Sequence, residues 1–84
     1  MHIAGVDRES NIPLYVQVCQ YWRARIAQNQ LKPGDQLPTE AEMAKLHGVS
    51  KITVRQAVRL LVSEGLVATR QGKGTFVRTA KHQW

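Results

Sequence analysis

Residues 39–58 read TEAEMAKLHGVSKITVRQAV, and the punctuation inside this stretch decides the fold. Thr39 followed three positions later by Glu42 is a capping box: the hydroxyl takes a free N–H of a new helix, and the carboxylate returns to the cap residue's own N–H. The spacing predicts a helix that starts at Thr39 and buries Met43, Ala44 and His47. Gly48 closes it in the left-handed conformation that glycine adopts without a Cβ penalty. Ser50 is a second N-cap two residues further on, so another helix follows after a turn of three or four residues. Two helices joined so tightly read as helix-turn-helix.

Working outward, the helix that begins at Ser50 has an inward stripe of Val54, Ala57, Val58, Leu61 and Val62. Lys51, Ile52, Arg55, Gln56 and Arg59 lie on its other side, and Gly65 ends it. Beyond it, LVATR (66–70) and TFVR (75–78) are short β-favouring runs around QGKG (71–74), which reads as a β-hairpin. Upstream, Pro13 suits a first helical turn, and Tyr15, Val18, Cys19, Trp22 and Ile26 form one stripe of a helix ending near Asn29. At this spacing the aromatics Tyr15 and Trp22 read as core rather than as a ligand box. In LKPGDQLP (31–38) the PG pair makes a turn and Pro38 bars a strand interior. The expected fold is therefore mainly α with a small β-hairpin, three helices plus a wing, over residues 12–78. Residues 1–11 read as a flexible, unpatterned tail and 79–84 as the start of a linker.

Composition bounds the function. A chain of 84 residues holds one small core, and no apolar run approaches the 18 or so residues that a membrane helix needs. The N-terminus lacks the apolar stretch of a secretory signal, so a cytoplasmic location is expected. Cys19 is the sole cysteine, which excludes an internal disulfide and disfavours a cysteine zinc site; it reads as packing. His47 has no second ligand at useful spacing and reads as a partly buried aromatic, so no metal or cofactor is expected. The net charge is +6 and one-sided. Residues 1–49 carry five Lys or Arg against five Asp or Glu, whereas residues 50–84 carry seven against Glu64 alone. Such a field marks a surface for a polyanion.

RQGKGT (70–75) tests what that polyanion is. A P-loop needs a glycine five positions before the G-K pair and Ser or Thr after the lysine; Val67 and Gly74 stand there instead, and the loop joins strands rather than opening a helix. No carboxylate pair, nucleophile set or HExxH spacing recommends an enzyme. The remaining reading is a duplex-DNA binder. A helix fits the major groove, where Arg or Lys reaches guanine O6 and N7, Gln pairs with adenine, and Ile or Thr touches the thymine methyl. The candidate contacts are Thr39, Ser50, Lys51, Ile52, Thr53, Arg55, Gln56 and Arg59, with recognition helix 50–64 in the major groove. Arg70, Gln71, Gly72 and Lys73 belong to a wing, 66–78, whose glycines leave room to enter the minor groove. The alternatives are a winged-helix protein-interaction module, for which Ile52 is the one apolar anchor among the charges, and an RNA binder. RNA's deep, narrow major groove would refuse the helix.

PLYVQV with Arg23 and Ile26, LKPGDQLPTEAEMAKLHGVSKITVRQAV, LLVSEGLV and RQGKGTFV together resemble successive blocks of the GntR-type bacterial transcription regulators, most nearly the HutC-like branch. The resemblance covers residues 12–78. It implies a winged helix-turn-helix that binds a two-fold operator as a homodimer, usually for repression. A small-molecule effector would bind through a C-terminal domain absent from these 84 residues. The family's contacts fall on Lys51, Thr53 and Arg55, with Ser50 and Ile52 beside them, and on Gly72. The chain departs from the family at PTEA, where PSER is common, so a DNA-contacting arginine is replaced by Ala41. Lys51 stands for a more usual arginine, and Trp22 for leucine.

Overall fold

The structure is a computed structural model in which residues 5–78 are described. Three helices, α1 (Leu14–Ala27), α2 (Glu40–His47) and α3 (Lys51–Ser63), precede the strands β1 (Val67–Arg70) and β2 (Gly74–Val77). This is the expected helix-turn-helix with a wing.

Each helix ends where its sequence provides partners for free backbone groups. Pro13, which has no N–H to leave unpaired, offers its carbonyl to the N–H groups of Val16 and Gln17 at 3.0 and 3.1 Å. Asn29 closes α1 in a left-handed conformation, φ 61°. The capping box is formed in both directions: Glu42 N–H donates to Thr39 Oγ1 at 3.1 Å and Thr39 N–H to Glu42 Oε1 at 2.8 Å. Gly48, at φ 70°, ends α2, and its N–H and that of Val49 both reach the Ala44 carbonyl. Ser50 Oγ then accepts from Thr53 N–H at 3.1 Å to start α3. Removing such a cap costs about 0.5–2 kcal/mol; Thr39 fixes where α2 begins, and Gly48 with Ser50 fixes the turn between the helices.

The core joins Val18, Cys19 and Trp22 of α1, Met43 of α2, and Val54, Ala57, Val58 and Leu61 of α3 to Leu37, Val67 and Val77. Leu61 is fully buried, and trimming such a side chain to alanine costs about 2–5 kcal/mol. Burial pushes the Cys19 thiol up, partly offset by the nearby Arg23 cation, in keeping with a packing role. Val62 does not join the stripe as expected: it is 41% exposed. At 3.6 residues per turn it lies about a quarter-turn from the centre of the buried face and turns toward the wing.

His47 is buried rather than partly buried, at 2% exposure. Its Nε2 accepts a hydrogen bond from Trp22 Nε1–H at 3.0 Å, and Tyr21 packs edge-on against both rings. Trp22 is therefore more than a larger leucine, because its polar edge satisfies the histidine. Arg23 grips Glu64 through Nε at 3.0 Å and Nη2 at 2.7 Å, joining α1 to the end of α3.

Two further features depart from the sequence reading. The hairpin pairs Val67 with Val77 and Arg70 with Gly74, but β2 has a second neighbour. Residues 34–37 run along its outer edge, with Gly34 N–H to Val77 O, Val77 N–H to Asp35 O and Leu37 N–H to Thr75 O, each at 2.8 Å, and a bridge between Gln36 and Phe76. The flanking Pro33 and Pro38 hid this pairing: the segment between them is too short to alternate, yet none of its paired residues is the proline. Residues 5–11, which read as tail in the sequence, are tied down. Gln17 accepts from Asp7 N–H at 2.7 Å and donates to the carbonyls of Asp7 and Ile12, while Arg8 Nη2 donates to the Gly48 carbonyl in the helix-turn-helix turn.

Candidate nucleic-acid interface

The caps described above aim the start of α3 away from the core and leave one face bare. Lys51, Ile52, Arg55, Gln56 and Arg59 are exposed on it, Ile52 at 66%, and Thr53 is half-buried. Ser50 and Thr53 are turned toward each other, Ser50 Oγ donating to Thr53 Oγ1 at 3.0 Å. Thr39 Oγ1 is engaged in the α2 cap.

Thr39, Arg55 and Arg59 come together with Arg70, Gln71, Gly72 and Lys73 around one groove of about 740 Å³ between the helices and the wing, with Val62, Leu37 and Pro38 along its floor and sides. Ser50, Lys51, Ile52, Thr53 and Gln56 do not line this groove. They lie at the start of α3 or on its outward face, continuing the exposed surface beyond the groove's rim.

The wing tip is a four-residue turn closed by Lys73 N–H to Arg70 O at 2.9 Å. Gly72 is its third residue at φ 77°, the positive value a type II turn requires there. Nothing stands within 4 Å of where a Gly72 side chain would begin, so within this chain it is the turn, not a crowded neighbour, that calls for glycine here. At Gly74 the reason differs. Gln36 Nε2 donates to the Lys73 carbonyl at 3.0 Å directly beneath it, and a Cβ on Gly74 would collide with that amide. Gln36 thus props the tip that carries Arg70 and Lys73.

Charge alone did not reveal Glu40. Its carboxylate holds the Arg55 guanidinium along one edge, Nε to Oε2 at 3.2 Å and Nη2 to Oε1 at 3.0 Å. The hydrogen bond from Arg55 holds the Glu40 carboxyl below its usual range, with a smaller pull from the charges of Arg55, Lys51 and Arg59; the same bond pushes Arg55 up. Glu40 belongs by sequence to the charge-balanced half of the chain and by structure to the basic face. The signal available in the sequence was its place in the first turn of α2, one residue past the cap. Ala41, where the family has arginine, is exposed beside it.

Residues 14–77 match the family described as bacterial regulatory proteins, gntR family. The mannosyl-D-glycerate transport/metabolism system repressor MngR of Escherichia coli K12 is 48% identical over 66 residues, 79% of this chain and 28% of that protein. The histidine utilization repressor of Klebsiella aerogenes is 38% identical over 80 residues, 95% of this chain and 33% of its own length. The chain thus spans a third or less of these relatives. Among solved structures, AraR(DBD) in complex with operator ORE1 superposes with a TM-score of 0.78 at 40% identity, covering 86% of this chain and 88% of that one.

Proposed function

The chain belongs to the GntR family of bacterial regulatory proteins, and from that premise we propose that residues 12–78 read operator DNA for a transcriptional repressor. The observation that carries this reading is the single basic surface formed by α3 and the wing, with Lys51, Arg55, Gln56 and Arg59 exposed on one and Arg70 and Lys73 on the other. A helix with this face enters the major groove N-terminus first. Arg55 and Lys51 reach guanine O6 and N7, Gln56 reaches adenine, and Ile52 and the Thr53 methyl meet thymine methyls. The wing follows the backbone into the adjacent minor groove, where Arg70 and Lys73 neutralise phosphates and displace counterions. The operator complex of AraR(DBD), a protein similar over most of this chain, supports the same use of the fold.

On this reading the chain binds duplex DNA and catalyses no reaction, works in the cytoplasm, and pairs with a second copy on a two-fold site. Any small-molecule effector acts through a further domain outside these 84 residues. Selection of bound duplexes from a random pool tests it. A two-fold consensus is expected; recovery of unselected sequence would leave only charge-driven binding, and recovery of nothing would defeat the proposal.

A further inference from the structure

We propose that Glu40 is a specificity-determining positioning residue, which holds Arg55 in the geometry that reads a base and suppresses binding to the wrong DNA. The inference rests on the DNA reading above and concerns one contact within it.

The geometry has two consequences. Arg55 carries five N–H donors in a rigid plane, and Glu40 takes one from Nε and one from Nη2. The edge formed by Nη1 and the second Nη2 hydrogen stays open and points away from the carboxylate. That edge has the two-donor pattern that guanine O6 and N7 accept. A tethered guanidinium presents it already oriented, so less side-chain freedom is lost when the base is met.

The second consequence is electrostatic. Glu40 is the acid that lines the groove with Arg55 and Arg59, and Lys51 also acts on its carboxyl. On random duplex, where no guanine meets the open edge, the carboxylate cancels one cation and repels phosphate. On the right base the pair stays intact and the open edge makes its contact. Glu40 therefore weakens the sequence-independent part of binding and strengthens the sequence-dependent part.

A purely structural ion pair is the competing account. The two side chains are 49% and 41% exposed, a setting in which ion pairs contribute little to folding, so the effect on DNA can be read apart from any effect on stability.

The test titrates the wild-type chain, Glu40→Gln and Glu40→Asp on a selected operator and on a random duplex of equal length, with thermal melts of each. Glu40→Gln is expected to bind random duplex about 2–5-fold more tightly and the operator about 2–5-fold less tightly, the range of an exposed ion pair. Its lost preference should fall at the base position that Arg55→Ala flattens. Glu40→Asp keeps the charge on a shorter arm, so it should lose operator affinity while leaving random binding unchanged. In an Arg55→Ala background Glu40→Gln should shift both duplexes by the same factor. Equal shifts of Glu40→Gln on both duplexes in the wild-type background would overturn the proposal while leaving DNA binding in place. A wild-type chain that binds neither duplex would overturn the DNA reading itself and the role of Glu40 with it.

Discussion

Gly74→Ala should destabilise the wing more than Gly72→Ala, although both glycines sit in one short loop. At Gly74 φ is 129°, a value L side chains rarely adopt, and holding alanine there costs about 1–3 kcal/mol. The new Cβ also meets the Gln36 amide, with Gln36 Cδ only 3.3 Å away. Because that amide is the free end of a flexible side chain, it swings aside and gives up its hydrogen bond to Lys73 O, a loss of about 0.5–1.5 kcal/mol. The sum is about 1.5–4.5 kcal/mol. At Gly72 the left-handed φ of 77° costs alanine about 1–2 kcal/mol, and no neighbour has to move. The hairpin cannot fray separately without exposing Val67 and Val77, both core residues, so urea and thermal melts of the whole domain report the loss. For a domain of this size each 1 kcal/mol lowers Tm by about 4–8 °C. In a Gln36→Ala background only the backbone strain remains, so the pair should show about 0.5–1.5 kcal/mol of coupling. Equal costs at the two glycines, or additivity in the double variant, would refute the idea that Gln36 props the tip.

Ala41→Arg places a five-donor group on the exposed first turn of α2, beside a phosphate in the usual helix-turn-helix docking, and should raise operator affinity by about 1 kcal/mol per half-site. Titrations without gain on any sequence would mean that α2 does not approach DNA. Arg55→Ala should cost about 1–3 kcal/mol on the operator and flatten one position per half-site, whereas Lys73→Ala should weaken all sequences alike. Matching patterns for the two would make Arg55 a phosphate contact. The folded Glu40 carboxyl titrates below its unfolded range, so its stabilisation is whole above the unfolded pKa of about 4.3 and is lost as pH falls through the folded value. Thermal melts should therefore show any gap between wild type and Glu40→Gln shrinking as pH falls below the unfolded range, and a gap that stays constant as the carboxyl is protonated would need another cause.

The helix-turn-helix was legible because its caps are local. Thr39, Glu42, Gly48 and Ser50 each act on backbone groups within four positions, and every one does what its spacing requires. The exposed face of α3 was legible for a similar reason, since helical periodicity alone separates Lys51, Arg55 and Arg59 from Val54, Ala57 and Leu61. What escaped depends on residues far apart in sequence. Arg55 meets Glu40 across 15 positions, Gln36 meets Lys73 across 37, and Arg8 meets Gly48 across 40. No period marks such pairs. The charge count by halves actively concealed Glu40, because it assigned to a neutral N-terminal half a carboxylate that the fold delivers to the basic face. His47 was read as partly buried because its partner, Trp22, looked like an ordinary core position.

On the proposed function, α3 and the wing hold duplex DNA through phosphate neutralisation joined to base reading. Equilibrium titration of this chain against the selected operator and a random duplex, over a range of salt concentrations, tests it most directly. The cations of the two elements imply that log affinity falls linearly with log salt at a slope of about −4 to −5 per chain, at about −0.9 per phosphate, with the operator line lying above the random line throughout. A flat salt response, or two lines that coincide, would contradict it.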